Sequence, residues 1–270
     1  MKLWMLGSGS SGNAVLLETD DTRIVIDAGF GTRTLAHRLK AIKIPPQSIQ
    51  ACIVTHEHDD HVKGARSAML RWGWAVYATR GTVHESPGLV DLPVRYFSAG
   101  ETFSVGRFDV RAAAVPHDAT DPVGLLVTAR STGARAGICY DIGHVSKAVR
   151  TLCEDVDLLV LEANHDEGML RAGPYPPFLQ QRILSAVGHL SNRAAGALCA
   201  DVAGKQLGHI VLAHLSEANN TPQMAHRAVS NSLRRTAFRG GLALAKQNSV
   251  VGPFVPKGMK KKDPLQYSLF

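Results

Sequence analysis

Thr55-His56-Glu57-His58-Asp59-Asp60-His61 follows directly on the apolar run Ala51-Cys52-Ile53-Val54. A short continuous apolar run of this kind reads as a buried strand, so the polar cluster stands at a strand end. Three imidazoles crowded among carboxylates would repel and desolvate one another unless a cation lay between them. In extended backbone, side chains two positions apart point to the same side, which brings His56 and His58 together. Asp60 and His61 open the next predicted helix and can turn back toward the same point. Imidazole and carboxylate donors suit Zn²⁺, Mn²⁺ or Fe²⁺. A solvated helix start with incidental histidines is the plainer alternative, and the density of the cluster speaks against it.

Outward from the cluster, short apolar runs bounded by turns predict strands at 3–6, 14–18 and 23–27. A helix at 34–43 carries Leu35, Leu39 and Ile42 on one side and ends at Pro45-Pro46. The strand at 51–55 feeds the cluster, and a helix at 62–72 and a strand at 74–78 follow it. Strands at 102–105, 108–115, 124–129 and 136–140 come next, with turns at Gly106 and 131–133. The rest reads as a strand at 158–162, helices at 177–187 and 193–203, a strand at 209–213, a helix at 222–235 and a last strand at 242–246. Strands and helices mix without strict βαβ alternation, which argues against a Rossmann or TIM layout. The expectation is an α/β chain: one domain over 1–254, with two sheets covered by helices, then a basic C-terminal tail at 255–270.

Gly7-Ser8-Gly9-Ser10-Ser11-Gly12 matches the dinucleotide fingerprint in letters. That fingerprint needs a helix N-terminus next, whereas Ala14-Val15-Leu16-Leu17 reads as strand. A P-loop fails as well, because Asn13-Ala14 stand where Lys-Ser/Thr is required. The segment is read as a tight turn between strands, with backbone N–H groups lining a site as the second reading.

Hydrophobic residues make up 45% of the 270 and charged residues 20%, which excludes a disordered chain. No stretch approaches the ~20 apolar residues of a membrane span, and the apolar run after Lys2 stops at Gly7, too short for a secretory leader. Cys52, Cys139, Cys153 and Cys199 form no C-x-x-C pair and sit beside apolar neighbours, as buried thiols do in a reducing compartment. The expectation is a cytoplasmic protein without membrane contact. The formal charge is +7; Lys257, Lys260, Lys261 and Lys262 against Asp263 put +3 in the tail, leaving a mild +4 elsewhere. Such a tail is a solvated terminus or a nucleic-acid contact, and charge alone does not choose. The twelve histidines are the unusual feature.

The H-x-H-x-D-H pattern at 56–61 resembles that of the metallo-β-lactamase superfamily, whose fold is an αββα sandwich with metals at one edge. That family has a further His, an Asp and a His at later strand ends. Here His117 follows the strand at 108–115, Asp141 the strand at 136–140, and His214 the strand at 209–213. The resemblance implies that His56, His58 and His117 hold one metal, that Asp60, His61 and His214 hold a second, and that Asp141 bridges the two. Flavodiiron-type oxygen reductases of the superfamily carry Glu where His58 stands, so hydrolysis is implied rather than redox chemistry.

Four longer stretches are similar to the WalJ/YycJ group of bacterial metallohydrolases. They are 6–13, Leu161-Glu162-Ala163-Asn164-His165-Asp166, Gly188-His189-Leu190-Ser191-Asn192 and 213–220. Together they run from Leu6 to Asn220. Members of that group are described as exonucleases of single-stranded or 5′-end DNA, and close relatives include phosphodiesterases. His144 departs from the group's pattern and carries no assigned role.

The resemblance therefore implies a dinuclear hydrolase with two divalent ions, Zn²⁺ or Mn²⁺, acting on DNA or another phosphodiester. A hydroxide held between the metals beside Asp141 would attack phosphorus, since metals bring the pKa of water from 15.7 to about 7. Two dications offset by Asp60 and Asp141 leave the site positive, which suits an anionic substrate. The candidate catalytic residues are Asp60, Asp141, His165 and His189. Either of the last two would protonate the leaving oxygen or bind phosphate, with a structural hydrogen-bonding role as the alternative. Arg171, Tyr175 and Arg182 are candidates for backbone and base contacts. The rival functions are a small-molecule hydrolase (a cyclic phosphodiesterase or thioester hydrolase) and a metal-binding regulatory module without turnover. The intact set of seven ligand positions speaks against the second rival.

Overall fold

Two mixed seven-stranded sheets account for the apolar runs, and the computed structural model describes residues 1–258. The first sheet runs in the order Val251–Phe254, Lys2–Gly7, Ala14–Thr19, Thr22–Ile26, Ala51–Ile53, Ala75–Ala78, Arg95–Tyr96. The second runs Gly241–Leu244, His209–Ala213, Leu158–Glu162, Arg135–Cys139, Val123–Ala129, Phe108–Ala114, Thr102–Val105. Alternate side chains, such as Leu3, Met5, Val15, Leu17, Ile24 and Ile26 against Val110, Leu125, Val127, Ile138 and Val160, meet between the sheets in one buried core.

The opposite faces are covered by helices. Leu16, Val25 and Cys52 cluster with Leu35 and Leu39 of the helix Thr32–Ala41 and with Ala68 and Trp72 of Ala65–Trp72. Leu159, Leu161 and Leu212 cluster with residues of Lys147–Cys153, Asn192–Val202 and Pro222–Leu233. Strands buried on both faces must be apolar throughout, which is why these runs lack strict alternation. The expected αββα sandwich is the architecture found.

Parallel pairing positions the site. Thr22–Ile26, Ala51–Ile53 and Ala75–Ala78 are parallel neighbours, as are Arg135–Cys139, Leu158–Glu162 and His209–Ala213. Their carboxyl ends gather Asp27, the 55–61 cluster, Asp141, Glu162 and His214, and ligands of open α/β sheets bind at such ends.

Several predicted elements differ in detail. The helix expected at 62–72 is two pieces, Asp59–Val62 and Ala65–Trp72. At the break, the Gly64 N–H donates to Ala28 O at 2.8 Å, and a Cβ there would stand 2.1 Å from Phe30 O. Backbone contact, invisible to periodicity, interrupts the helix. The strand Val251–Phe254 lies beyond the last predicted strand; it sits at a sheet edge beside a register shift, where Pro253 is tolerated.

All four cysteines are free and buried, as expected. Of the tail expected at 255–270, Lys257 donates to Lys205 O, while residues 259–270, with Lys260, Lys261 and Lys262, lie outside the described residues. Among the described residues no helix is long and apolar enough to cross a membrane.

Candidate metal centre

Asp27, Asp141 and His214 each stand just past a strand with left-handed backbone, at φ 60°, 53° and 51°. Such conformations cost non-glycine residues of order 1–3 kcal/mol and persist where the surroundings over-determine them, often at functional sites. Here all three side chains turn into one buried cluster.

Three donor groups meet there, the third (Asp141, Glu162, His189 and His214) sharing two members with the second. The ligand atoms of His56, His58 and His117 lie within 4.8 Å of one another, and so do those of Asp60, His61, Asp141 and His214. Asp141 is within reach of the first two groups: its Oδ2 is 2.6 Å from His61 Nε2 and 3.4 Å from His56 Nε2, and its Oδ1 is 2.5 Å from His214 Nδ1. Asp60 Oδ2 lies 3.3 Å from His214 Nε2 and 3.4 Å from His61 Nε2. All seven residues singled out as ligands are therefore brought together.

The donor set fits divalent cations. His56 Nε2 and Asp141 Oδ1 are buried without a hydrogen-bond partner, the latter despite its close approach to His214. Buried polar atoms are rarely left in this state, and cations bound at the first two groups would satisfy them. Burial, with His61, His117 and His58 close by, holds the His56 ring well below its ordinary pKa and so neutral. At His61 and His214 burial also opposes charge, but Asp141, aided by Asp27 at the first and by Asp60 and Glu162 at the second, raises both well above the ordinary value. Ligation needs the neutral ring, so a cation and these protons compete for the same nitrogens.

Outer partners fix the rings. Asp27, fully buried, lies 2.7 Å from His61 Nδ1 and accepts from Thr55 N, Thr55 Oγ1 and the Tyr140 hydroxyl at 2.7–2.8 Å. The His117 Nδ1–H donates to Gly188 O at 3.2 Å. The glycine turn contributes side chains rather than a phosphate cradle: Ser8 Oγ accepts from His214 N and donates to Asn13 Oδ1, and Asn13 Nδ2 lies 3.2 Å from Asp60 Oδ2 and 3.0 Å from His61 Nε2. At Gly12, φ is +155°, and a Cβ would stand 2.6 Å from Gly29 O.

Asp27→Asn should weaken metal binding roughly 10–100-fold, the range for loss of an outer-shell partner. Competition with a zinc-chelating dye measures this directly. Unchanged affinity would show that His61 needs no such support.

Beside Asp141, the His189 Nδ1–H donates to Glu162 Oε1 at 2.7 Å. Glu162 is fully buried and also accepts from Ile142 N and Leu190 N. Burial opposes its ionisation, but His189 and His214 hold its carboxyl down at about 2. Sequence reasoning missed Asp27, Glu162 and Asn13. The two acids share one sequence feature, a carboxylate closing a buried apolar strand, which does not by itself separate a site from a turn.

His165 is separate from the cluster: it is buried, both ring nitrogens lack partners, and it lines an adjoining pocket. Tyr175 and Arg182 line a cleft of about 170 Å³ with His189 and His214, and Arg182 pairs there with Asp118. Arg171 is exposed at the end of the helix Glu167–Ala172, and His144 is exposed, its Nδ1–H donating to Ala186 O.

The family model for the beta-lactamase superfamily domain matches residues 22–215. The chain is 33% identical over 243 residues to the exodeoxyribonuclease YycJ of Bacillus anthracis, spanning 88% of this chain and 91% of that one. It is 34% identical over 247 residues to the exodeoxyribonuclease WalJ of Streptococcus pneumoniae, spanning 89% and 91%. Among solved structures, the metallo-β-lactamase fold protein YhfI of Bacillus subtilis aligns with a TM-score of 0.69 at 17% identity, over 93% of this chain and 98% of that one. The short form of human tRNase Z aligns with a TM-score of 0.61 at 18% identity, over 94% and 100%. These two structural likenesses establish the fold. Likeness at the level of the two exodeoxyribonucleases, over nearly their whole length, goes further: the chain belongs to the metallo-β-lactamase superfamily and to its WalJ/YycJ-like group.

Proposed function

We propose that this metal-dependent hydrolase is a dinuclear phosphodiesterase that removes nucleotides from DNA, at single-stranded regions or 5′ ends. The observation that carries the reading is Asp141, one buried carboxylate within reach of His56 in one donor group and of His61 and His214 in the other. His56, His58 and His117 would hold one ion, and Asp60, His61 and His214 the other, with Asp141 shared. Bound there, Zn²⁺ or Mn²⁺ would supply Lewis acidity toward a phosphoryl oxygen and acidify water. DNA as substrate is supported by the two relatives named exodeoxyribonucleases. The hydrolase domain is taken as 1–254.

The chain's own residues do the rest. Asp27 and Gly188 O aim His61 and His117, so the ligand rings need no reordering when substrate arrives. Asp60 and Asp141 offset part of the cationic charge and leave the cleft attractive to a phosphodiester. Glu162 holds the His189 Nδ1–H, so Nε2 is the nitrogen that gives a proton to the leaving oxygen. Arg182 would exchange Asp118 for a substrate phosphate, a charge-assisted pairing of the same kind.

The test is a metal-by-substrate panel: 5′- and 3′-labelled single- and double-stranded DNA, with Zn²⁺, Mn²⁺ or a chelator. Mononucleotides should be released from single strands, release should stop on chelation, and one of the two ions should restore it. Hydrolysis of bis-p-nitrophenyl phosphate or a thioester, with no DNA cleaved by any metal-loaded preparation, would make the protein a small-molecule hydrolase instead.

A further inference from the structure

A second pocket, of about 420 Å³, adjoins the metal centre, and His189 lines both. That volume lies within the roughly 300–1,000 Å³ of small-molecule sites. Its charged residues are already paired: Arg150 Nη2 lies 2.9 Å from Asp201 Oδ2, and Arg193 Nη2 lies 3.0 Å from Glu167 Oε1. Val145, Leu184, Leu190, Ala194, Ala197 and Leu198 give the rest of the lining its apolar part, beside His144, His189 and Ser191. Among the lining residues His165 is buried, only 1% exposed, with no partner for either ring nitrogen.

A purely apolar ligand would leave His165 unsatisfied. A neutral imidazole offers one donor and one acceptor. The complementary ligand is a flat, neutral heteroaromatic ring with donors and acceptors on its edge.

We propose that this pocket binds the nucleobase of a nucleotide flanking the scissile phosphate, with His165 bonded to the base edge. The inference rests on the phosphodiesterase reading above. It makes His165 a substrate-binding residue, set apart from the proton transfer assigned to His189. It also explains how a site built around a bare phosphodiester would favour polynucleotides.

The experiment compares two substrates on the zinc-loaded enzyme. One is oligothymidylate; the other is an all-abasic oligomer that keeps every phosphodiester and loses every base. His165→Ala should lower kcat/KM on oligothymidylate about tenfold, mainly through KM, and leave the abasic oligomer unchanged. Ala197→Phe fills the pocket from an exposed position and leaves residue 165 unchanged, and should do the same. Equal losses on both substrates, or no loss on either, would overturn the pocket assignment while the nuclease reading stands. If the wild type cleaves no DNA, thymidine and deoxyadenosine titrated against the histidine NMR signals still decide the question. Binding that disappears in Ala197→Phe supports the pocket although the nuclease reading has fallen, and no binding overturns it.

Discussion

Asp141→Asn should fold, bind fewer metal ions and lose at least about 10³-fold in phosphodiesterase rate, an effect of roughly 4 kcal/mol on the barrier. Asparagine is the right substitution because residue 141 has φ 53°, a left-handed conformation that Asn accepts and that costs most other side chains more. The change keeps shape and removes charge. Asp141 is the carboxylate within 3.4 Å of His56 and within 2.6 Å of His61, so its loss weakens both proposed ion positions together. The expected metal content of the purified variant is about one ion per chain or fewer, measured by elemental analysis, with a melting temperature close to the wild type in the presence of chelator. His58→Ala, at a half-exposed position of the first donor group, should show the same loss of rate. Two ions per chain and activity within tenfold of the wild type would remove Asp141 from the centre of the mechanism.

What could be read in advance was whatever depends on local pattern. The cluster at 56–61 announces itself by density, and His117, Asp141 and His214 by their positions just past apolar runs. The sandwich follows from the number and apolar character of those runs. Asp27 and Glu162 could not be found in this way, because a carboxylate closing a buried strand looks alike in a turn and in a site. What separates the two cases is which strands are parallel neighbours. Asp27 reaches His61 because Thr22–Ile26 and Ala51–Ile53 pair in parallel, and Glu162 reaches His214 because Leu158–Glu162 and His209–Ala213 do. Sequence spacing carries neither fact. His165 and His189 are likewise equals in the sequence, each beside a strand or a helix start. Only the fold separates them, by putting Glu162 against one and leaving the other without a partner.

That separation yields a leaving-group test for His189. His189→Ala should slow DNA cleavage by about 10²–10⁴-fold, the usual worth of a positioned general acid, and should slow bis-p-nitrophenyl phosphate hydrolysis far less. The alkoxide expelled from DNA is strongly basic and must be protonated as it departs, whereas nitrophenolate leaves without help. The pairing with Glu162 sets the pH range. Burial lowers the His189 pKa, but Glu162 outweighs burial and the net shift is upward, so the imidazolium persists above the ordinary histidine range. An acid of this kind works in its protonated form, and the rate on DNA should therefore fall as pH rises through that raised value. Glu162→Gln removes the charge that raises it, and the same limb of the profile should move to lower pH. In His189→Ala the limb should vanish. If His189→Ala instead costs both substrates the same factor, His189 serves to hold metal or phosphate, and the proton for the leaving oxygen must come from elsewhere.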